Sequence, residues 1–124
     1  MKMLVTGSAC HLGEALMRTL RADGAAVLGI DRLPSPFTDA VGDIGESAFV
    51  RGVMAGITHV VHTATLHKPH VKTHTRQAFV DTNVIGTLIL LEAAPAVGVV
   101  AFVFTSTTSA FGAALRPLPG APAV

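Results

Sequence analysis

Tyrosine and tryptophan are absent from this chain of 124 residues, so no phenol within it can carry a proton. Cysteine occurs once, at Cys10, which excludes an internal disulfide and fits a reducing cytoplasm. Charge is scarce. Only 14% of residues are Asp, Glu, Lys or Arg and the net charge is +1, so nothing points to nucleic acid or an anionic membrane as partner. Long apolar runs are also missing. The longest, Ala93 to Phe104, is interrupted by Pro95 and Gly98 and is too short to span a bilayer. The N-terminal apolar run stops at Thr6-Gly7, which reads as too soon for a signal peptide.

What remains is apolar: half of the residues are hydrophobic, which argues against disorder. A chain of this length reads as one domain able to bury roughly two-thirds of its unfolded surface. Lys2 to Thr6 reads as a buried strand and His11 to Ala22 as a helix, with Leu12, Ala15, Leu16, Thr19 and Leu20 at helical spacing. Asp23-Gly24 ends that helix. Ala26 to Ile30 is a second strand that stops at Asp31, and Ala40 to Asp43 a short third. Ser47 to Ala55 reads as a short helix and Thr58 to His62 as a fourth strand. A loop over Leu66 to Thr75 runs into one long helix, Gln77 to Ala94, which Pro95 ends or kinks. Val99 to Phe104 is a fifth strand, and beyond Gly112 the chain turns Ala/Pro-rich. Strands alternating with helices imply parallel pairing through right-handed crossovers. Near-continuous apolar strands imply a sheet covered on both faces.

The first turn carries the chemistry. A strand feeding a helix through glycines aims the helix's free N–H groups and its positive dipole end at a phosphate. Gly7 permits the tight turn and Gly13 permits close packing of helix on strand. The plain alternative is a strand–turn–helix with no ligand. Asp31 weighs against it. It ends the second strand eighteen residues after Gly13, where a carboxylate accepts from both ribose hydroxyls of an adenosine and repels a 2′-phosphate, favouring NAD over NADP. Arg32 follows at once and pulls the other way, since it can meet a phosphate.

Gly7-x-x-Cys10-x-x-Gly13 resembles the T-G-x-x-G-x-x-G fingerprint of short-chain dehydrogenase/reductase proteins, with Cys10 in place of the middle glycine. Gly42-Asp43-Ile44 matches a Gly-Asp-aliphatic signal after the third strand. Val60-Val61-His62-Thr63-Ala64-Thr65 resembles a strand ending in His-x-Ala-(Ala/Gly), and Asp81 to Thr87 resembles an N-V-x-G-T helix signature. Phe102 to Gly112 resembles F-x-S-S-(S/T)-x-x-V-Y-G. In this order, over residues 2–112, the motifs resemble the N-terminal part of the NAD-dependent epimerase/dehydratase family.

The resemblance implies an α/β, Rossmann-type doubly wound parallel sheet of order 3-2-1-4-5, truncated after the fifth strand. It implies a cofactor domain over residues 1–112 with an irregular tail at 113–124. The expected cofactor contacts are Gly7, Cys10, His11, Leu12 and Gly13 on the first turn, and Asp31 and Arg32 at the ribose. Asp43 and Ile44 are expected at the adenine, the backbone of Thr63, Ala64 and Thr65 along the cofactor, and Asn83, Thr105 and Ser106 beside it. Thr107 takes the place of the family's catalytic Ser/Thr, whose hydroxyl bonds the reacting oxygen of a small-molecule substrate. The family's Tyr-x-x-x-Lys pair is not in these residues, so a non-catalytic nucleotide-binding module stands as the alternative to an oxidoreductase. A homodimer is usual in such a family and is put in doubt here by the reading as truncated.

Two features have a second reading. Cys10 brings a Cβ and a thiol where glycine lets the backbone approach the pyrophosphate, and its place at a helix N-terminus would lower its pKa. His67, His70 and His74 have the spacing of ligands on one helix, but Pro69 spoils regular geometry and no metal site is expected. A loop over the site mouth is the expected role. Asn83, on an apolar helix face, reads as a structural bridge to a neighbouring strand.

Overall fold

The computed structural model describes residues 1–107. The Thr108 to Gly112 end of the fifth-strand motif and the tail at 113–124 lie outside the described residues.

Five parallel strands form one sheet in the order β3-β2-β1-β4-β5. They are β1 (Lys2–Thr6), β2 (Ala26–Asp31), β3 (Ala40–Val41), β4 (His59–His62) and β5 (Ala101–Phe104). This is the order expected from the sequence. The register sets Thr6 between Ile30 and His62, and His62 beside Phe104, so one row crosses the carboxyl ends of four strands. The strands β3, β4 and β5 are shorter than the runs read from the sequence, although Gly42, Thr58 and Val100 still donate their N–H groups to the carbonyl oxygens of Asp31, Lys2 and Thr58.

The helices are α1 (His11–Ala22), α2 (Ser47–Val53), α3 (Arg76–Val80) and α4 (Thr87–Ala96). The main core lies between the sheet and α2 with α4. Leu4, Ile30, Val50, Met54, Ile57, Val60 and Leu90 are fully buried there. Each such side chain contributes roughly 1.5–3 kcal/mol. Helix α1 covers the opposite face. Its buried residues are Gly13 and Met17, while Leu12, Ala15 and Thr19 are exposed, which corrects the apolar face read from spacing. The cause is Gly13. A Cβ there would collide with the Gly7 carbonyl oxygen, so the close approach of turn and helix fixes the helix rotation.

The long helix is also corrected. It is not one α-helix: a π-helical turn, Asp81–Gly86, separates α3 from α4. Pro95 lies inside the last turn of α4, which runs on to Ala96. At 21 residues the run Arg76–Ala96 is, by length and composition alone, long and apolar enough to cross a membrane. Here its Thr82, Gly86, Leu90 and Ala94 are buried, whereas Val84, Ile85, Leu88 and Leu91 are exposed.

The β2–β3 connection is a folded loop pinned to α1. Arg18 and Arg21 lie over the Phe37 ring at 4.9 and 5.7 Å, and Arg21 donates to the Pro36 carbonyl oxygen and pairs with Asp39 at 2.8 Å. The other Asp39 oxygen accepts the Gly29 N–H at 2.7 Å, beside the short β3.

Candidate functional site

The carboxyl ends of β1, β2 and β4 frame an open groove of about 350 Å³. Parallel strands bring their loops together at that edge, where doubly wound sheets bind ligands. Of the residues singled out in the sequence, Gly7, Cys10, Asp31, Arg32, Ile44, Ala64 and Thr65 line this groove.

Gly7 has φ +76°, and a Cβ on it would lie 2.8 Å from the Ala64 nitrogen. The turn after β1 therefore needs glycine for its backbone angle and for its contact with the loop after β4. Cys10 is the N-cap of α1, and its side chain makes no capping hydrogen bond. The N–H groups of His11, Leu12 and Gly13 open the helix, where intrahelical acceptors run out. His11 and Leu12 are exposed there.

Asp31 is held at the groove lip by two backbone amides. Its Oδ2 accepts from Ala9 N–H at 3.0 Å, and its Oδ1 accepts from Leu33 N–H at 2.9 Å. The Cys10 sulfur is 4.0 Å from Oδ2. Desolvation, and after it the Asp31 carboxylate, push the Cys10 thiol above its ordinary pKa. The expectation of a lowered thiol pKa is thereby overturned, because burial of the sulfur, and after it the facing carboxylate, outweigh the helix end.

Arg32 reaches across to Asp43, Nε to Oδ2 at 3.4 Å. Asp43 also accepts from Gly45 N–H at 2.8 Å. It stands behind the groove wall that Gly42 and Ile44 form. Arg32 is thus tied to an acid, although half of its side chain stays exposed.

The third wall is the loop after β4. Thr63 is buried, and its hydroxyl donates to the Thr6 carbonyl oxygen at 2.6 Å. The Thr6 hydroxyl accepts from Thr63 N–H at 3.2 Å and from Ala64 N–H at 3.1 Å. Asn83 lies behind the wall, where Oδ1 accepts from Leu66 N–H and Nδ2 donates to the Leu66 carbonyl oxygen, both at 2.8 Å. It bridges the π turn to a loop, and not to a strand as read from the sequence. Thr105, Ser106 and Thr107 follow β5 and are exposed; they are not on the groove wall.

Leu66, His70 and His74, on the loop expected over the site mouth, also line the groove, and so do Leu33 and Thr82, which the sequence reading missed. His67, His70 and His74 stack edge to face, with ring centres 4.7 and 5.3 Å apart. His67 N–H donates to His70 Nδ1 at 3.0 Å. The trio folds its loop over the groove. Among the described residues no three His, Cys, Asp or Glu side chains are placed to hold a metal ion. The Thr6 and His62 hydrogen bond, 2.6 Å between Oγ1 and Nδ1, was missed as well. A polar residue at the same row of two adjacent apolar strands was the signal for it.

A parallel sheet of this order, with a glycine turn at a helix N-terminus and an acid ending β2, defines the Rossmann class of nucleotide-binding domain. The profile of the NAD dependent epimerase/dehydratase family matches residues 3–122, and the chain belongs to that family. It is 36% identical over 118 residues to 3-beta-hydroxysteroid dehydrogenase of Mycolicibacterium neoaurum, covering 87% of this chain and 32% of that protein. It is 34% identical over 119 residues to UDP-glucose 4-epimerase of Rhizobium meliloti, covering 89% of this chain and 36% of that one. The fold superposes on a short-chain dehydrogenase/reductase superfamily protein of Agrobacterium tumefaciens with bound NAD. The TM-score is 0.83 and the identity 32%, over 94% of this chain and 35% of the other. The chain thus spans about a third of the length of the relatives it matches.

Proposed function

We propose that the groove binds NAD, and that the chain is the cofactor domain of an epimerase/dehydratase-like oxidoreductase. The observation that carries this is Asp31. Its carboxylate is fixed at the lip by the Ala9 and Leu33 amides, with an exposed side left for ribose hydroxyls. The turn suits a dinucleotide, since glycine at 7 and 13 lets the loop after β4 and the start of α1 pack close, where a Cβ would meet Ala64 and the Gly7 carbonyl. In this reading the pyrophosphate lies at the first turn of α1, against Gly7, Cys10, His11, Leu12 and Gly13. The adenine lies by Asp43 and Ile44, with Arg32 beside Asp31 at the ribose. The loop of Thr63, Ala64 and Thr65, braced by Asn83, runs along the cofactor. Thr105 and Ser106 continue the site toward Thr107, whose hydroxyl orients a substrate oxygen.

NAD supplies the hydride acceptor for a secondary alcohol or a sugar-nucleotide carbon. NAD is favoured over NADP because Arg32, which lines the groove beside Asp31, is paired to Asp43. The lone Cys10 fits a reducing cytoplasm. The second reading is a nucleotide-binding module without turnover, favoured by the absence of tyrosine from these residues.

Calorimetry with NAD and NADP tests the reading. NAD is expected to bind more tightly, and Asp31→Ala is expected to cost roughly 1–3 kcal/mol of NAD affinity. A preference for NADP would remove the role given to Asp31. An assay of NADH production with secondary alcohols and sugar nucleotides separates the two readings.

A further inference from the structure

His62 is fully buried at the carboxyl end of β4, yet it lies outside the groove and outside every role given above. Its ring joins three elements. Nδ1 lies 2.6 Å from Thr6 Oγ1 on β1, and Nε2 lies 2.8 Å from Thr87 Oγ1 at the start of α4. Phe102 and Phe104 of β5 pack against it, with ring centres 6.1 and 5.6 Å away.

The hydrogen-bond pattern favours one tautomer. Thr6 Oγ1 has two lone pairs and one hydrogen. One lone pair takes Ala64 N–H, and the other takes Thr63 N–H, which it shares with the Thr6 carbonyl oxygen at 3.3 Å. The Oγ1 hydrogen is left to point at Nδ1, the unprotonated nitrogen in this arrangement. The proton of the neutral ring then sits on Nε2 and is donated to Thr87. A second proton, on Nδ1, would compete with these amides for the Oγ1 lone pairs. Burial independently lowers the pKa of His62 to about 4. Among the described residues the groups facing the ring are the Thr6 and Thr87 hydroxyls and the Phe102 and Phe104 rings.

We propose that His62 is a positioning residue for the groove. As the Nε2–H tautomer it ties α4 to the end of β1, and so orients the Thr6 hydroxyl that holds the Thr63 and Ala64 amides. Ala64 lies on the groove wall, 2.8 Å from where a Cβ on Gly7 would stand, so a shift of this loop moves the wall against the glycine turn. The link to cofactor affinity rests on the dinucleotide reading of the groove; the link to the loop does not.

The test uses the whole chain with three readouts. Nitrogen-15 spectra of the His62 ring report the tautomer. Amide hydrogen exchange at Thr63 and Ala64 reports the loop. Calorimetry with NAD reports the groove. Expected are an Nε2–H ring that stays neutral from pH 7 to below 5, exchange at both amides at least tenfold faster in Thr87→Val, and NAD binding at least fivefold weaker. Thr87→Ser, which keeps the hydroxyl, is expected to restore both. An Nδ1–H tautomer overturns the proposal. So does unchanged exchange at the two amides, or an equal acceleration at Leu28 and Gly29 of β2, which would mark a general loss of stability. Unchanged NAD affinity with faster loop exchange overturns the positioning of the groove. A wild-type chain that does not bind NAD refutes the dinucleotide reading, while the ring and exchange data still decide whether His62 positions the loop.

Discussion

Asn83 grips the peptide of Leu66 at both ends, accepting its N–H and donating to its carbonyl oxygen at 2.8 Å each. A carboxamide is the one side chain of this length that does both. Asn83→Asp keeps the size but turns the donor into a second acceptor facing the Leu66 carbonyl. The expected loss is about 1–3 kcal/mol of stability, read in urea. Asn83→Ala is expected to cost less than Asn83→Asp, because it leaves unpaired groups at a half-exposed loop without placing charge against them.

Two glycines separate need from tolerance. Gly7 has φ +76° and a blocked Cβ position, whereas Gly52 in α2 is exposed with nothing within 4 Å. Gly7→Ala is expected to cost at least about 1–2 kcal/mol from the backbone angle alone. Gly52→Ala is expected to gain about 0.5–1 kcal/mol. Denaturant melts of both variants check the contrast, and equal effects would refute it.

Cys10 points its thiol at Asp31 across the mouth of the groove. Cys10→Gly removes the Cβ and sulfur at an N-cap where glycine costs only a few tenths of a kcal/mol. Tighter NAD binding is the expected result by calorimetry. With its pKa raised, the wild-type thiol holds less thiolate at neutral pH than free cysteine. Alkylation by iodoacetamide at pH 7.5 is therefore expected to be slower than for free cysteine.

Acid should find the fold through His62. Its folded-state pKa is about 4, below the ordinary 6.5 it regains on unfolding. Above pH 6.5 neither state binds the proton, and this contribution is complete. As the pH falls toward 4 the unfolded chain takes up a proton that the folded chain refuses, and stability drops by roughly 3 kcal/mol. Urea midpoints of wild type and His62→Gln between pH 7 and 4 measure it, and the variant's slope is expected to be shallower.

The sheet was legible because each strand is a short apolar run with a clear end, such as Gly7 after β1 and Asp31 as the last residue of β2. The groove's glycines were legible because backbone geometry demands them, and its acid because it ends the second apolar run. The rest depended on contacts between distant segments. The rotation of α1 is set by Gly13 against Gly7, which overrides the spacing of Leu12 and Ala15. The π turn puts Asn83 and Thr87 against partners 17 and 25 residues upstream, and periodicity carries no trace of it. His62 was read as strand, because its hydroxyl partners become neighbours only once β1, β4 and α4 are assembled.

The two rims of the sheet are unequal. On one side β3 is two residues long, and the Asp39 carboxylate already occupies the Gly29 N–H. On the other, β5 is paired only to β4 among the described residues, and Val103 and Phe104 are exposed. Among the described residues strand addition is therefore expected to be favoured at β5, where two copies would pair edge to edge. Light scattering over a concentration series is expected to show monomer and dimer alone; a mass that climbs without limit would mean that the Asp39 side is open too.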